Sequence, residues 1–347
     1  VSRQPPTLED VARAAGVSRA TVSRVVNGVR NVDPALQEIV FRAIELTGYA
    51  PNRAARSLVI RRAETVALVI SGVGGAVDDE AREVFATRVF TDPFFGRVVG
   101  GVMSFLRPRS MHPVLMLAES DADRQEVVSF LRQGRADGAL VVSTHPDDPL
   151  PALLAGAKLP AVLFARPSRP VPLTHVDLDH RTGGALAARH LLARGCRRPA
   201  TVSGPLDVRA SRERLAGFRE ALADGGVTDV PLAEGGFTLA SGIAGMAELL
   251  ARHPDVDGVF AANDLMAQGA CRLLRERGKR VPDDVAVVGF DDSGVAVTCE
   301  PPLTSVRQPV ERMAEEMARL LDSQVRGESQ GPTGVVFDPE LVVRASA

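Results

Sequence analysis

The sequence predicts a small N-terminal three-helix head joined to a larger two-lobed α/β body built on parallel sheets. Three observations lead there. The first 62 residues hold ten arginines against five acidic residues, while the whole chain sums to −2, so the remainder is net negative. That head contains three short amphipathic stretches, each bounded by capping residues. From about Thr65 onward, short apolar runs alternate with helical stretches, the pattern of parallel strands covered by helices on both faces.

The head reads element by element. Thr7 caps a first helix with Asp10 three residues on, and Leu8, Val11, Ala12 and Ala15 share one face before Gly16 stops it. Ser18 caps a second helix whose apolar face is Val22, Val25 and Val26, ending at Asn27-Gly28. Asp33 caps a third with Pro34 in its first turn; Leu36, Ile39, Val40, Ala43 and Ile44 form its stripe before Gly48. Two helices joined by the tight Ala15-Gly16-Val17 turn, with a third packed beneath, make a helix-turn-helix module.

With its valines turned inward, the second helix presents Arg19, Ala20, Ser23 and Arg24 outward. Such a helix suits the major groove of DNA. Arginine forks onto guanine O6 and N7, and a small alanine rests against a thymine methyl. Ser18, Thr21 and the helix N-terminus suit phosphate oxygens, which position the module without reading sequence.

These motifs carry a resemblance. The run Thr7-Leu8-Glu9-Asp10-Val11-Ala12-Arg13-Ala14-Ala15-Gly16-Val17-Ser18, continuing as Thr21-Val22-Ser23-Arg24-Val25-Val26-Asn27, resembles the head of the lac repressor/galactose repressor (LacI/GalR) family. So does Gly48-Tyr49-Ala50-Pro51-Asn52 followed by Arg53-Ala54-Ala55-Arg56-Ser57-Leu58. The resemblance implies DNA contacts from Thr7, Ser18, Arg19, Ala20, Thr21, Ser23, Arg24 and Asn27. It makes Asn52–Leu58 a hinge helix formed on operator DNA, with Leu58 entering the minor groove. An apolar wedge there unstacks one base step, and the bend brings more protein surface to the duplex. For the rest of the chain it implies a periplasmic-binding-protein-like body whose chain crosses between lobes three times. The boundaries expected are 1–50 for the head, 51–62 for the hinge and 63–347 for the effector-binding and dimerisation domain.

In the body, strands are predicted at Val66–Ile70, Val114–Leu117, Ala139–Val142, Ala161–Phe164, Ala200–Val202, Gly258–Ala261, Val285–Phe290 and Val335–Val343. Helices are predicted at Gly183–Ala193, Arg212–Ala223 and Gly242–Arg252. Nearly 280 residues exceed one such sheet, so two lobes with a cleft are expected. Small ligands bind such clefts at strand ends. Asn263 and Asp291 follow strands directly, and an amide and a carboxylate there suit sugar hydroxyls. Asp264 and Asp292, beside them, read equally as caps of the segments that follow. The resemblance implies effector contacts from Asn263, Asp291 and Arg214, and aromatic stacking from Phe95 and Phe237; either phenylalanine alone also reads as core. Two departures from the family pattern stand out. Residues 72–91 are longer than usual and carry Asp78, Asp79, Glu80 and Glu83, suiting a surface loop or a lid. Val208 and Ala210 make the Asp207–Ala210 loop apolar.

Other classes lack their signatures. Gly72-Val73-Gly74-Gly75 follows a strand, but Val77 occupies the third glycine position of a dinucleotide loop. No phosphate-binding loop and no Gly-x-Ser-x-Gly elbow occurs. The six histidines and three cysteines show no zinc-ligand spacing, and His175 and His180 read as strand-end surface residues. No cofactor is expected. With 45% apolar and 24% charged residues, no spanning-length apolar run and no secretion signal, an intracellular protein with reduced thiols is expected. The partners expected are palindromic double-stranded operator DNA, a small effector of carbohydrate type and a second copy of the chain. No leucine-heptad tail follows the last strand, which favours a dimer over a tetramer. A ligand-independent architectural DNA-binding protein with a degenerate cleft is the alternative.

Overall fold

The computed structural model describes residues 6–26, 32–49, 62–72, 85–87, 89–143, 145, 147–329 and 331–347. The chain divides into two compact units, Val1–Glu64 and Thr65–Ala347.

The first unit holds α1 (Leu8–Ala15), α2 (Arg19–Val26) and α3 (Pro34–Thr47). Thr7 and Asp10 form a reciprocal capping box, and Gly16 ends α1 in the left-handed region at φ 64°. Ser18 Oγ accepts the Thr21 amide at the start of α2. Asp33 accepts the Ala35 amide, with Pro34 opening α3 and Gly48 closing it at φ 65°. Val11, Val22, Val25, Val40, Ala43 and Tyr49 bury against one another as a small separate core. Ile39 departs from the predicted stripe: it is 46% exposed, because the buried row of α3 runs through Val40, Ala43 and Ile44 instead.

In the second unit, sheet 1 has the order β11-β5-β4-β3-β1-β2 and is parallel throughout. Its strands are β1 (Thr65–Ser71), β2 (His112–Ala118), β3 (Ala139–Ser143), β4 (Ala161–Phe164), β5 (Thr174–Leu178) and β11 (Gly334–Phe337). β1 shows why a continuous apolar run is needed here. Val66, Leu68 and Ile70 join the core under α4 (Pro93–Leu106), while Ala67 and Val69 join the opposite core under α5 (Asp121–Arg132) and α6 (Leu150–Gly156). Part of the 72–91 segment lies outside the described residues. Its end is no loop: 85–87 and 89–91 are helical, and Phe85 and Val89 are buried in that first core.

Sheet 2 has the order β12-β10-β9-β8-β6-β7, with β12 antiparallel at its edge. It comprises β6 (Pro199–Ser203), β7 (Leu232–Glu234), β8 (Gly258–Ala261), β9 (Ala286–Asp291), β10 (Thr304–Arg307) and β12 (Glu340–Val342). One face carries α7 (His180–Ala193) and α8 (Arg209–Asp224); the other carries α9 (Leu239–Arg252) and α10 (Asp264–Glu276). The chain passes between lobes three times: between β5 and α7, between β10 and α12 (Val310–Val325), and between β11 and β12. The last passage corrects the single strand predicted at Val335–Val343. Asp338-Pro339 interrupts it, and its halves pair in different sheets, β11 with β5 and β12 with β10.

Two glycines let α7 and α8 touch backbone to backbone. A methyl on Gly184 would overlap the Arg214 carbonyl, and one on Gly217 would overlap the Arg181 carbonyl. Gly217→Ala therefore destabilises the body by about 1–3 kcal/mol. Gly100→Ala, where nothing lies within 4 Å, should be neutral or stabilising in its helix. Urea unfolding of both variants checks this, and equal stabilities would refute the close-approach argument.

Candidate functional site: an interlobe cleft and a DNA-reading head

A cavity of about 260 Å³ opens between the lobes, lined among others by Phe95, Arg214, Phe237, Asn263 and Asp291. The five residues singled out in the body thus meet at one place, although nearly 200 positions separate the first from the last. Each is held by local structure. Asn263 ends the segment after β8 and caps α10 by accepting the Met266 amide at 2.9 Å. Its Nδ2 donates to the Phe237 carbonyl at 2.9 Å and fixes that residue in a left-handed backbone, φ 63°. Nδ2 carries a second N–H besides the one donated to Phe237.

Arg214 projects from α8 and is 6% exposed. Its Nε donates to His180 Nδ1 at 3.2 Å, one terminal nitrogen to the Ala262 carbonyl at 2.5 Å and the other to Gln308 Oε1 at 3.3 Å. The guanidinium also lies 3.6 Å over the Phe290 ring. Burial lowers its pKa to about 10, against the pull of Asp291, Asp264 and Asp177, so it stays charged at neutral pH. The Asp291 carboxylate is 3.9 Å away. Burial raises the pKa of Asp291, opposed by Arg214 and Arg97.

Asp291 sits at the end of β9 with φ 98°, a conformation L-residues rarely adopt. The neighbours that hold it there were not singled out from the sequence. Arg97, from α4 of the other lobe, donates to the Asp291 carbonyl at 2.8 Å and the Gln308 carbonyl at 3.0 Å, and pairs with both oxygens of Glu311. Asp264 does not cap its own helix. Its carboxylate accepts the Ser293 amide and hydroxyl and the Ser305 hydroxyl at 2.6–2.9 Å, pinning the turn after Asp291. Burial pushes its pKa up to about 7. Asp292 is likewise no cap: it pairs with Arg307 at 2.8 Å and Arg344 at 2.7 Å.

His180 and Gln308 also line the cavity, at the first two lobe crossings. His180 is not a surface residue, since it opens α7 and faces inward, 6% exposed. Burial and Arg214 lower its pKa well below the usual value, which leaves a neutral imidazole whose Nδ1 accepts from Arg214. His175 lies within β5, half-buried against Gly334. On the aromatic side, Phe94 stands edge-on to Phe164 and Phe95 at 5.2 Å each. Flat apolar faces opposite fixed polar groups suit a small ligand carrying several hydroxyls. Among the described residues, no cluster of three potential metal ligands occurs.

In the head, Arg19, Ala20 and Arg24 are exposed on α2, with Thr21 and Ser23 half-buried beside them. Arg19 pairs with Glu9 at 2.9 Å. The Ser18 and Thr21 hydroxyls bond each other at 2.9 Å, and the Thr7 hydroxyl is engaged by Asp10. Asn27, Asn52 and Leu58 lie outside the described residues.

Comparison with known proteins decides the class. Residues 7–52 match the family model for bacterial regulatory proteins, lacI family, and residues 188–347 match a periplasmic binding protein-like domain. The chain is 47% identical over 349 residues to the HTH-type transcriptional regulator CelR of Thermobifida fusca, covering 99% of each chain. This chain belongs to the lacI family of bacterial regulatory proteins. As a lacI-family member it is a DNA-binding transcriptional regulator and not an enzyme. It is also 31% identical to the repressor PurR of Photobacterium profundum, over 98% of each chain. Among solved structures, a CelR–cellobiose complex matches with a TM-score of 0.74 and 45% identity, covering 99% of this chain and 100% of that one. A lac repressor dimer bound to operator and the anti-inducer ONPF matches at 0.82 and 28%, over 99% of each. These lacI-family structures share the helical head and the two parallel-sheet lobes. No described helix is long and apolar enough to cross a membrane.

Proposed function

We propose that this chain is a cytoplasmic, homodimeric repressor of a near-palindromic operator, controlled by a neutral carbohydrate bound between its lobes. The observation that carries the effector half is the convergence of Arg214, Asn263 and Asp291 on one cavity with Phe95 and Phe237. A degenerate cleft, as in a ligand-independent architectural protein, has no reason to keep a buried arginine and an aspartate in a left-handed backbone aimed into it. The complex of the related CelR with cellobiose supports the same reading.

The DNA half rests on α2. In this reading Arg19, Ala20, Ser23 and Arg24 meet base edges, while Thr7, Ser18, Thr21 and Asn27 meet the backbone. The hinge of residues 51–62, with Asn52 and Leu58, joins the head to the body of residues 63–347. One head reads only a few base pairs, so two are needed for a site rare in a genome. The lac repressor structure, a dimer on operator, supports this arrangement. So do apolar side chains left exposed on the body: Val114 and Leu115 on the edge strand β2, and Val297 in the short helix α11 (Gly294–Thr298).

The test is operator affinity measured by fluorescence anisotropy, with and without saturating cellobiose or glucose. A sugar-controlled regulator shifts operator affinity by about 5- to 150-fold, and operator shifts sugar affinity by the same factor. No shift with any neutral sugar would remove the carbohydrate from the reading.

A further inference from the structure

Cys271 and Cys299 stand side by side behind the cleft. Cys271 lies seven residues after Asp264 on α10, so two helical turns, about 10 Å, separate them on one face. The Asp264 carboxylate holds the amide and hydroxyl of Ser293. From that shared point α11 runs to Cys299, whose amide donates to the Val295 carbonyl at 2.9 Å. This second path covers a similar length, about 9 Å. α10 and α11 pack against each other, and both cysteine side chains are buried in the same core, 3% and 4% exposed. The Cys271 thiol donates to the Cys299 sulfur.

Their surroundings give the two thiols different roles. The hydrogen bond from Cys271, the Glu300 amide and the Arg275 guanidinium hold the Cys299 thiol below its ordinary value, against burial and Asp264. Donating that bond and being buried push the Cys271 thiol well above its own. Arg275 meets Glu300 at 3.9 Å with both side chains exposed, so Cys299 has a cation beside it and solvent one residue away. A sulfur with thiolate character, a cation and a second sulfur in contact is the setting of an oxidisable cysteine. Cys196 is the internal contrast. Its thiol donates to the Asp257 carbonyl at 3.5 Å, and burial pushes its pKa up to about 11.

We propose that Cys271 and Cys299 are a peroxide-sensitive thiol pair that closes into a disulfide within one chain and tunes the effector cleft. The Cys299 thiolate attacks one oxygen of hydrogen peroxide. The O–O bond breaks, giving a sulfenic acid and a hydroxide that takes up the proton the thiol gave to solvent. The Cys271 sulfur then attacks the Cys299 sulfur, the S–O bond breaks, and the hydroxide leaves as water with the Cys271 proton. Two thiols are oxidised to one disulfide, and the peroxide is reduced to two waters. A thiol reductant reverses the step. Closing two sulfurs to a bond of ~2.05 Å draws α11 onto α10. Asn263 caps α10, and Asp291 stands two residues before Ser293, so the bond acts on both cleft-lining segments from behind. The effect on sugar rests on the carbohydrate reading above; the bond itself does not.

Peptide mapping of the full chain after hydrogen peroxide, with free thiols alkylated before digestion, tests the bond. The expected product is a Cys271–Cys299 disulfide within one chain, removed by dithiothreitol, with Cys196 alkylated. In Cys271→Ala, dimedone captures the Cys299 sulfenic acid. Calorimetry with cellobiose reads the consequence: oxidation weakens binding at least about fivefold, the low end of ordinary coupling between sites. Cys299→Ser keeps its affinity through the same treatment. A wild type whose two thiols remain open to alkylation overturns the proposal, as does a disulfide that joins two chains or includes Cys196. A disulfide formed with unchanged sugar affinity overturns it as well. A reduced wild type that binds no neutral sugar overturns the carbohydrate reading instead, and the peptide map with operator affinity before and after peroxide then decides the thiol pair.

Discussion

Asp291→Asn should weaken sugar binding by about 10- to 150-fold, because a buried hydrogen bond to a charged acceptor contributes ~1.5–3 kcal/mol. The substitution keeps the shape of the side chain and removes its charge. The carboxylate stands at the end of β9, 3.9 Å from Arg214, with its main chain gripped by Arg97 from the opposite lobe. A ligand hydroxyl donating to Asp291 therefore engages a group whose position depends on both lobes at once. In the proposed reading, Asp291 is the place where sugar binding is felt as lobe geometry, and operator response should fall along with affinity. Calorimetry with cellobiose gives the affinity, and anisotropy with operator gives the response. A variant that binds and responds like the wild type would show that the ligand sits elsewhere. Arg97→Met is the companion measurement: it removes the grip on the Asp291 carbonyl without removing the carboxylate, so it should lose part of the affinity that Asp291→Asn loses.

How far the sequence anticipates this arrangement depends on the kind of signal each residue leaves. The caps of the head were legible because Thr7 with Asp10, Gly16, Asp33-Pro34 and Gly48 each perform a local task at a fixed offset. Strands buried on both faces, such as β1 and β8, announce themselves as apolar runs. β5 did not, since His175 and Asp177 interrupt it, and β7, at three residues, is too short to register. The split between β11 and β12 turns on which sheet each half joins, which no local pattern records. Within the cleft, Asn263 and Asp291 are visible because each stands where an apolar run ends, and Arg214 because it stands in a family motif. His180, Gln308 and Arg97 left no such trace. Their importance comes from the lobe crossings and from one helix of the other lobe, places where distant segments meet only after both sheets have formed.

Arg24→Ala has the largest expected effect on the DNA side. A forked arginine–guanine contact contributes ~1–3 kcal/mol of discrimination, and a dimer with two heads loses it twice, for about 2–6 kcal/mol. The loss should fall on operator and spare random DNA if, as proposed, Arg24 reads the groove edge and not the phosphate. Arg19 provides the contrast. It pairs with Glu9 at 2.9 Å within the head, so the pair must open before the guanidinium can reach a base. An exposed pair of this kind is worth less than ~1 kcal/mol, yet it lowers the net gain from Arg19 on DNA by the same amount. Arg19→Ala should therefore cost less than Arg24→Ala, and Glu9→Gln should tighten operator binding slightly by freeing Arg19. Titrating all three variants against operator and random duplexes at two salt concentrations separates the roles. A base-reading arginine changes the specificity ratio, whereas a phosphate-binding one weakens both duplexes alike and reduces the salt slope by about one. If Arg24→Ala gave the second pattern, α2 would be a positioning helix, and sequence readout would have to come from another part of the head.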